Sequence, residues 1–174
     1  MRIAWAMMAG LAIPRAMAAP AGAGEKAECP APTALPAPLA GWAATHRPVD
    51  AAADVARAGN VRVAIGTAAE LTLQPVEKLG FARAPERPAS AGTLGGLVTL
   101  DVSEAGTYRV ALGSGAWVDV VRDGASVQSV AHGHGPACSG IAKMVDFTLT
   151  PGRHVVQLSG SKATSIGLLV ARLP

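Results

Sequence analysis

Residues 61–174 predict an all-β fold, an antiparallel β-sandwich or jelly roll of about 8–10 short strands. Three observations predict it. Apolar and polar side chains alternate at period two along one segment after another. Turn signals built from Gly, Pro and Asp-Gly recur about every 8–12 residues. Aromatic residues make up only 3% of the chain, so the core must be assembled from Val, Leu, Ile and Ala. These are short side chains that suit packed strands.

Three regions precede or form this domain: residues 1–18, 19–60 and 61–174. Met1 and Arg2 form a short positive start, residues 3–13 an apolar stretch, and Ala16-Met17-Ala18 an A-x-A cleavage motif. This reads as a signal peptide cleaved near Ala18, which places the mature chain in the periplasm or outside the cell. The apolar stretch is shorter than the roughly 20 residues of a spanning helix, so no membrane anchor is expected. Lys26, Ala27 and Glu28 before Cys29 are not the small apolar residues of a lipid-attachment site. Without Arg2 and Arg15, 13 basic residues face 12 acidic ones. No Lys/Arg cluster remains to attract nucleic acid or an anionic membrane.

The chain has two cysteines, Cys29 and Cys138. In an exported protein they read first as one disulfide, with free or metal-bound thiols as the alternative. The bond would close a loop of about 110 residues, worth near 4.7 kcal/mol on the chain-entropy argument.

Residues 19–41 are rich in Pro, Ala and Gly and predict a semi-extended arm, with Leu35, Leu39 and Trp42 available to dock it. Residues 50–58 fit either a short helix capped by Asp50 or an irregular loop. Residues 61–65 and 70–74 alternate and read as strands joined by a hairpin over 66–69. Residues 77–92, with Pro85 and Pro88, predict an edge segment and then a solvated loop. Residues 94–102 form a strand in which Gly95-Gly96 marks a bulge or a close backbone approach. Strands over 107–112 and 116–122 follow, then a hairpin turn at Asp123-Gly124. Segments 126–132, 141–150, 153–159 and 165–173 complete the set. The last is apolar on both faces, as a central strand would be. Residues 100–112 and 147–158 echo one another as strand, glycine turn and strand, a repeat of architecture.

Candidate chemistry concentrates in 105–140. His132 and His134 are two residues apart, which puts both imidazoles on one face of a strand. With His154 or Asp146 they suggest a facial iron set; with Cys138 and Met144, a copper or zinc site. The bland reading is a glycine-rich loop pinned by a disulfide, its histidines in solvent and no cofactor bound. Trp117 and Tyr108 are the candidate ligand surface, Trp117 as a stacking platform or as packing under the N-terminal arm or against Trp42. Ser114 and Ser139 lack a hydrolase context. Asp101, Asp119 and Asp146 read as solvent-facing strand charges.

The segment AGTYRVALGSGAWVDVVRDG resembles hairpins of exported accessory sandwiches of the pre-peptidase C-terminal and carbohydrate-binding-module types, which implies a non-catalytic module. The run Gly124 to His132-Gly133-His134, with Pro151-Gly152-Arg153-His154, resembles the two motifs of the cupin jelly roll. That resemblance implies His132, His134 and His154 as metal ligands; Cys138 and Ser139 stand where the cupin motif has glutamate. The stretch AHGHGPACSGIAKMVDF resembles short exported bacterial proteins that carry the label homogentisate 1,2-dioxygenase, which implies iron-dependent ring cleavage. The leading expectation is an exported, non-catalytic binding or accessory module for a protein or small ligand in the periplasm. The rival expectations are a cupin-like dioxygenase and a copper or zinc carrier.

Overall fold

The computed structural model describes Cys29 and residues 34–174. The proposed leader, residues 1–18, and most of residues 19–33 lie outside the described residues. The chain divides into two compact units, Met1–Pro30 and Ala31–Pro174. The second unit is the expected sandwich. Residues 34–60 belong to it, because their strand is part of a sheet.

Among the described residues, eleven strands form two sheets. They are β1 (Arg47–Asp50), β2 (Ala69–Thr72), β3 (Gln74–Pro75), β4 (Leu94–Val102), β5 (Gly106–Leu112), β6 (Trp117–Arg122), β7 (Ala125–Val127), β8 (Ser129–Gly133), β9 (Lys143–Leu149), β10 (Gly152–Ser161) and β11 (Ser165–Arg172). The first sheet runs β1-β2-β11-β5-β9-β8 and the second β3-β4-β10-β6-β7. Every pairing is antiparallel except β1 with β2.

The core follows from the alternation. Val98, Leu100 and Val102 of β4, with Val156 and Leu158 of β10, pack in one cluster with Val110 and Leu112 of β5 and Ile166, Leu168 and Val170 of β11. The second face of β11 is also covered. Leu169 and Ala171 pack with Leu39 and Trp42 from a 3-10 helix, Ala37–Ala43. The docking expected of Leu39 and Trp42 is therefore present, and it explains why β11 is apolar on both faces. A third cluster joins Leu97 to Ala52 and Ala58, with Phe81 and Val155 against it.

The 100–112 and 147–158 segments are related more closely than as repeated hairpins. Each leaves one sheet and enters the other: β4 to β5, and β9 to β10. The two arches also pair with each other at both ends. Val102 opposes Gly152, and Gly106 opposes Leu149. Each glycine stands at the first residue of the returning strand, where the chain changes sheet.

Three local expectations are corrected. Residues 61–65 form no strand; a single bridge links Arg62 to Thr99. Residues 66–69 are therefore not a hairpin, and β2 pairs with β1 and β11. The helix is only Val55–Ala58, and Asp54 caps it through the Arg57 N–H. Residue 50 ends a strand because Asp50 pairs in register with Thr72. The hairpin at Asp123-Gly124 is present: both residues have positive φ, 49° and 75°, as a type I′ turn requires.

Candidate functional site

The residues expected to bind metal do not meet. His132 lies on β8, an edge strand, opposite Val145. His134 is exposed just beyond β8, and its Nδ1 lies 3.0 Å from the Ala142 carbonyl oxygen. That carbonyl only accepts, so Nδ1 carries the proton. His154 belongs to the other sheet, in phase with Val156 and Leu158, and is 1% exposed. Its Nδ1 lies 3.2 Å from the Gly152 carbonyl, and its Nε2 is buried without a partner. Burial pushes its pKa down, against the opposing hydrogen bond to Gly152. Among the described residues, no group of three His, Cys, Asp or Glu side chains is placed to hold a metal ion. Cys138 is bonded in the disulfide with Cys29, the only other cysteine in the chain. It is therefore not a thiolate ligand.

Tyr108 is corrected from surface to core. It is 1% exposed, and its hydroxyl donates to the Glu104 carbonyl at 2.8 Å. Two of the three strand aspartates are also buried. Asp146 accepts two hydrogen bonds from Arg109, at 2.7 and 2.8 Å, across the β5–β9 pair. That carboxylate in turn raises the Arg109 pKa. Asp119 is the second buried aspartate, while Asp101 is exposed.

Asp119 leads to the best-built polar cluster. Trp117 and Asp119 are two apart on β6, so both side chains leave the same face. The Trp117 indole N–H donates to one Asp119 oxygen at 2.8 Å. The Gln157 amide donates to the other at 3.2 Å, from the β10 residue paired with Asp119. Gln157 is itself held by the Arg83 backbone, through its oxygen at 3.4 Å and its nitrogen at 2.9 Å. The indole is thus fixed by a buried chain of hydrogen bonds, and is not packed against Trp42.

Trp117 borders two cavities. One, of about 180 Å³, is lined by Val118, Val127, Val145 and Phe147, with His132, Glu86 and Lys143 also on its wall. The other is a broader trough of about 680 Å³ between the start of β6, the end of β10 and residues 87–93. Its lining includes Arg87, Lys143 and Lys162, together with Ser114, Ser159 and Trp117. The Lys143 ammonium stands 5.0 Å from the centre of the indole ring and donates to the Ala116 carbonyl at 2.9 Å.

Sequence reading found Trp117 but missed its neighbours. Arg87, Lys143 and the pair Ser159 and Lys162 at the end of β10 come from three separate segments, and each looks like an ordinary surface residue in isolation. A third group, His46, Glu70 and Ser165, was also unforeseen. Ser165 donates to one Glu70 oxygen at 2.6 Å, and His46 Nδ1 lies 3.4 Å from the other. The carboxylate stands between serine and histidine, so the histidine is not positioned to take the hydroxyl proton. This is not the order that nucleophilic catalysis requires.

These features define an all-β sandwich in a chain that carries one disulfide. Comparison with protein-family models, with curated proteins and with solved structures gave no match. Among the described residues, no helix is long and apolar enough to cross a membrane.

Proposed function

We propose that the protein is an exported, non-catalytic binding module whose ligand site is the trough beside Trp117. One observation carries the reading: a partly exposed tryptophan is pinned by a buried Asp119–Gln157 chain at the edge of an open trough of about 680 Å³. Fixing an aromatic side chain before a ligand arrives lowers the ordering entropy that binding must overcome. A concave surface with an apolar platform and a few convergent polar groups is the general form of a small-ligand site. Export is supported by the leader-like residues 1–18 and by a disulfide, which suits an oxidising compartment.

The test is a small-molecule fragment screen by ligand-observed NMR on the untagged protein, repeated with Trp117→Ala. Fragments that bind the native chain and are lost in the variant are the expected result. Two controls bear on the non-catalytic part. Stoichiometric iron, copper or zinc in the purified protein that disappears with His132→Ala would overturn it. So would a turnover abolished by His134→Ala.

A further inference from the structure

The trough's lining sets the charge of what it accepts. Three cations from three segments reach it, Arg87, Lys143 and Lys162, and none of the residues lining it is acidic. The Asp119 carboxylate, two residues along β6 from Trp117, already accepts hydrogen bonds from Trp117 and Gln157. Two hydroxyls add to the pattern. Ser159 is 1% exposed and lines the trough, yet its Oγ has no hydrogen-bond partner. The Ser114 Oγ is also buried, lines the trough and is unpartnered. Buried hydroxyls without partners are unfavourable and uncommon in folded proteins. A ligand oxygen would satisfy them. Apolar groups from Pro88, Ala116 and Ala163 share the wall with the indole, so the site suits more than a bare inorganic ion.

We infer that the trough takes an organic anion, a carboxylate- or phosphate-bearing molecule with an apolar body. Its charged head lies among Arg87, Lys143 and Lys162, and its body lies along Trp117. The Arg87 guanidinium offers the planar fork that matches either head group. Lys143 has donors left over after its bond to Ala116. Burial and then the Arg87 charge push the Lys143 pKa down, with Asp119 opposing. An anion between the two cations relieves their repulsion. This inference rests on the trough being the binding site.

The experiment is a titration of the ¹⁵N-labelled full chain with three probes: benzoate, phenyl phosphate and the neutral benzyl alcohol. Both anions, or one of them, are expected to shift the Trp117 indole signal and the amides of 114–117 and 159–163. The neutral probe should bind at least about tenfold more weakly, the usual scale of a charge-assisted contact. Which anion binds tighter identifies the head group. Arg87→Gln and Lys162→Gln alter exposed side chains, and each should weaken anion binding about tenfold. Raising salt to about 0.5 M should weaken it further by screening. Equal affinity for benzyl alcohol and the anions would overturn the anion inference and leave the trough as the site. If none of the three probes shifts the residues around Trp117, both readings fall.

Discussion

His154 shows how one residue can couple stability to pH without being part of a site. It sits between two sheets of aliphatic side chains, with one ring nitrogen bonded to Gly152 and the other unpartnered. Desolvation penalises its charged form most strongly, and the nearby Arg122 charge adds to that, against the Gly152 bond and Asp123. Its folded pKa therefore lies below the ordinary value of 6.5. In the unfolded chain the imidazole takes up a proton as the pH drops through 6.5, while in the folded chain it stays neutral to lower pH. The unfolded state binds more protons in that window, so stability falls as pH falls below about 7. Urea unfolding between pH 7.5 and 5 should show this loss in the native protein and a flatter profile in His154→Leu. Parallel profiles would refute the assignment. The sequence already held this placement. The alternation that turns Val156 and Leu158 inward turns His154 inward with them, and Tyr108 is in phase with Val110 and Leu112. Site-seeking by residue type alone overlooked the phase.

At the scale of elements, period-two patterning located the long strands because each has one face in a common core. It failed at 61–65, where the alternating Val61, Val63 and Ile65 are present but the strand is not. There Thr99 donates to the Val61 carbonyl and accepts from the Val63 N–H, while the Val61 N–H turns back to Ala58, so burial supplies the pattern without a ladder. The Gly95-Gly96 pair was legible as a close approach, and the reason is specific. A Cβ on Gly95 would overlap the Leu158 carbonyl oxygen, and one on Gly96 would overlap the Ala51 side chain. The opposing β10 is irregular between Leu158 and Ser161 at the same place. Backbone atoms in a central pair have little room to retreat. Gly95→Ala should therefore destabilise the fold by about 1–3 kcal/mol, the range of overpacking in a close-packed interior. Gly92→Ala meets no atom but places alanine at φ 75°. It serves as a control for backbone strain without crowding. Chemical denaturation of the two variants separates these effects; a Gly95→Ala protein as stable as the native one would contradict the packing argument.

For the whole molecule, the sequence revealed sheets, a covalent link and Trp117, but not the trough beside it. The trough is made where β6, the end of β10 and the 87–93 segment converge, and no local motif encodes that convergence. The disulfide was legible because two cysteines in a chain with an export-like leader leave few alternatives. Its energetic role follows from the distance it spans in sequence, about 110 residues, over which a cross-link restricts the unfolded ensemble most. The folded unit does not depend on it for architecture. Both sheets carry their own ladders, and Leu39 and Trp42 dock the 3-10 helix through apolar contacts with Leu169 and Ala171. Replacing both cysteines, Cys29→Ser with Cys138→Ser, should therefore leave the strand signal in circular dichroism unchanged. It should lower the free energy of unfolding by about 2–4 kcal/mol. The denaturant slope should rise at the same time, because an unfolded chain freed of its cross-link exposes more surface. A stability loss with an unchanged slope would place the effect in the folded state. A variant that fails to form sheet at all would show that the link is needed for folding and not only for stability.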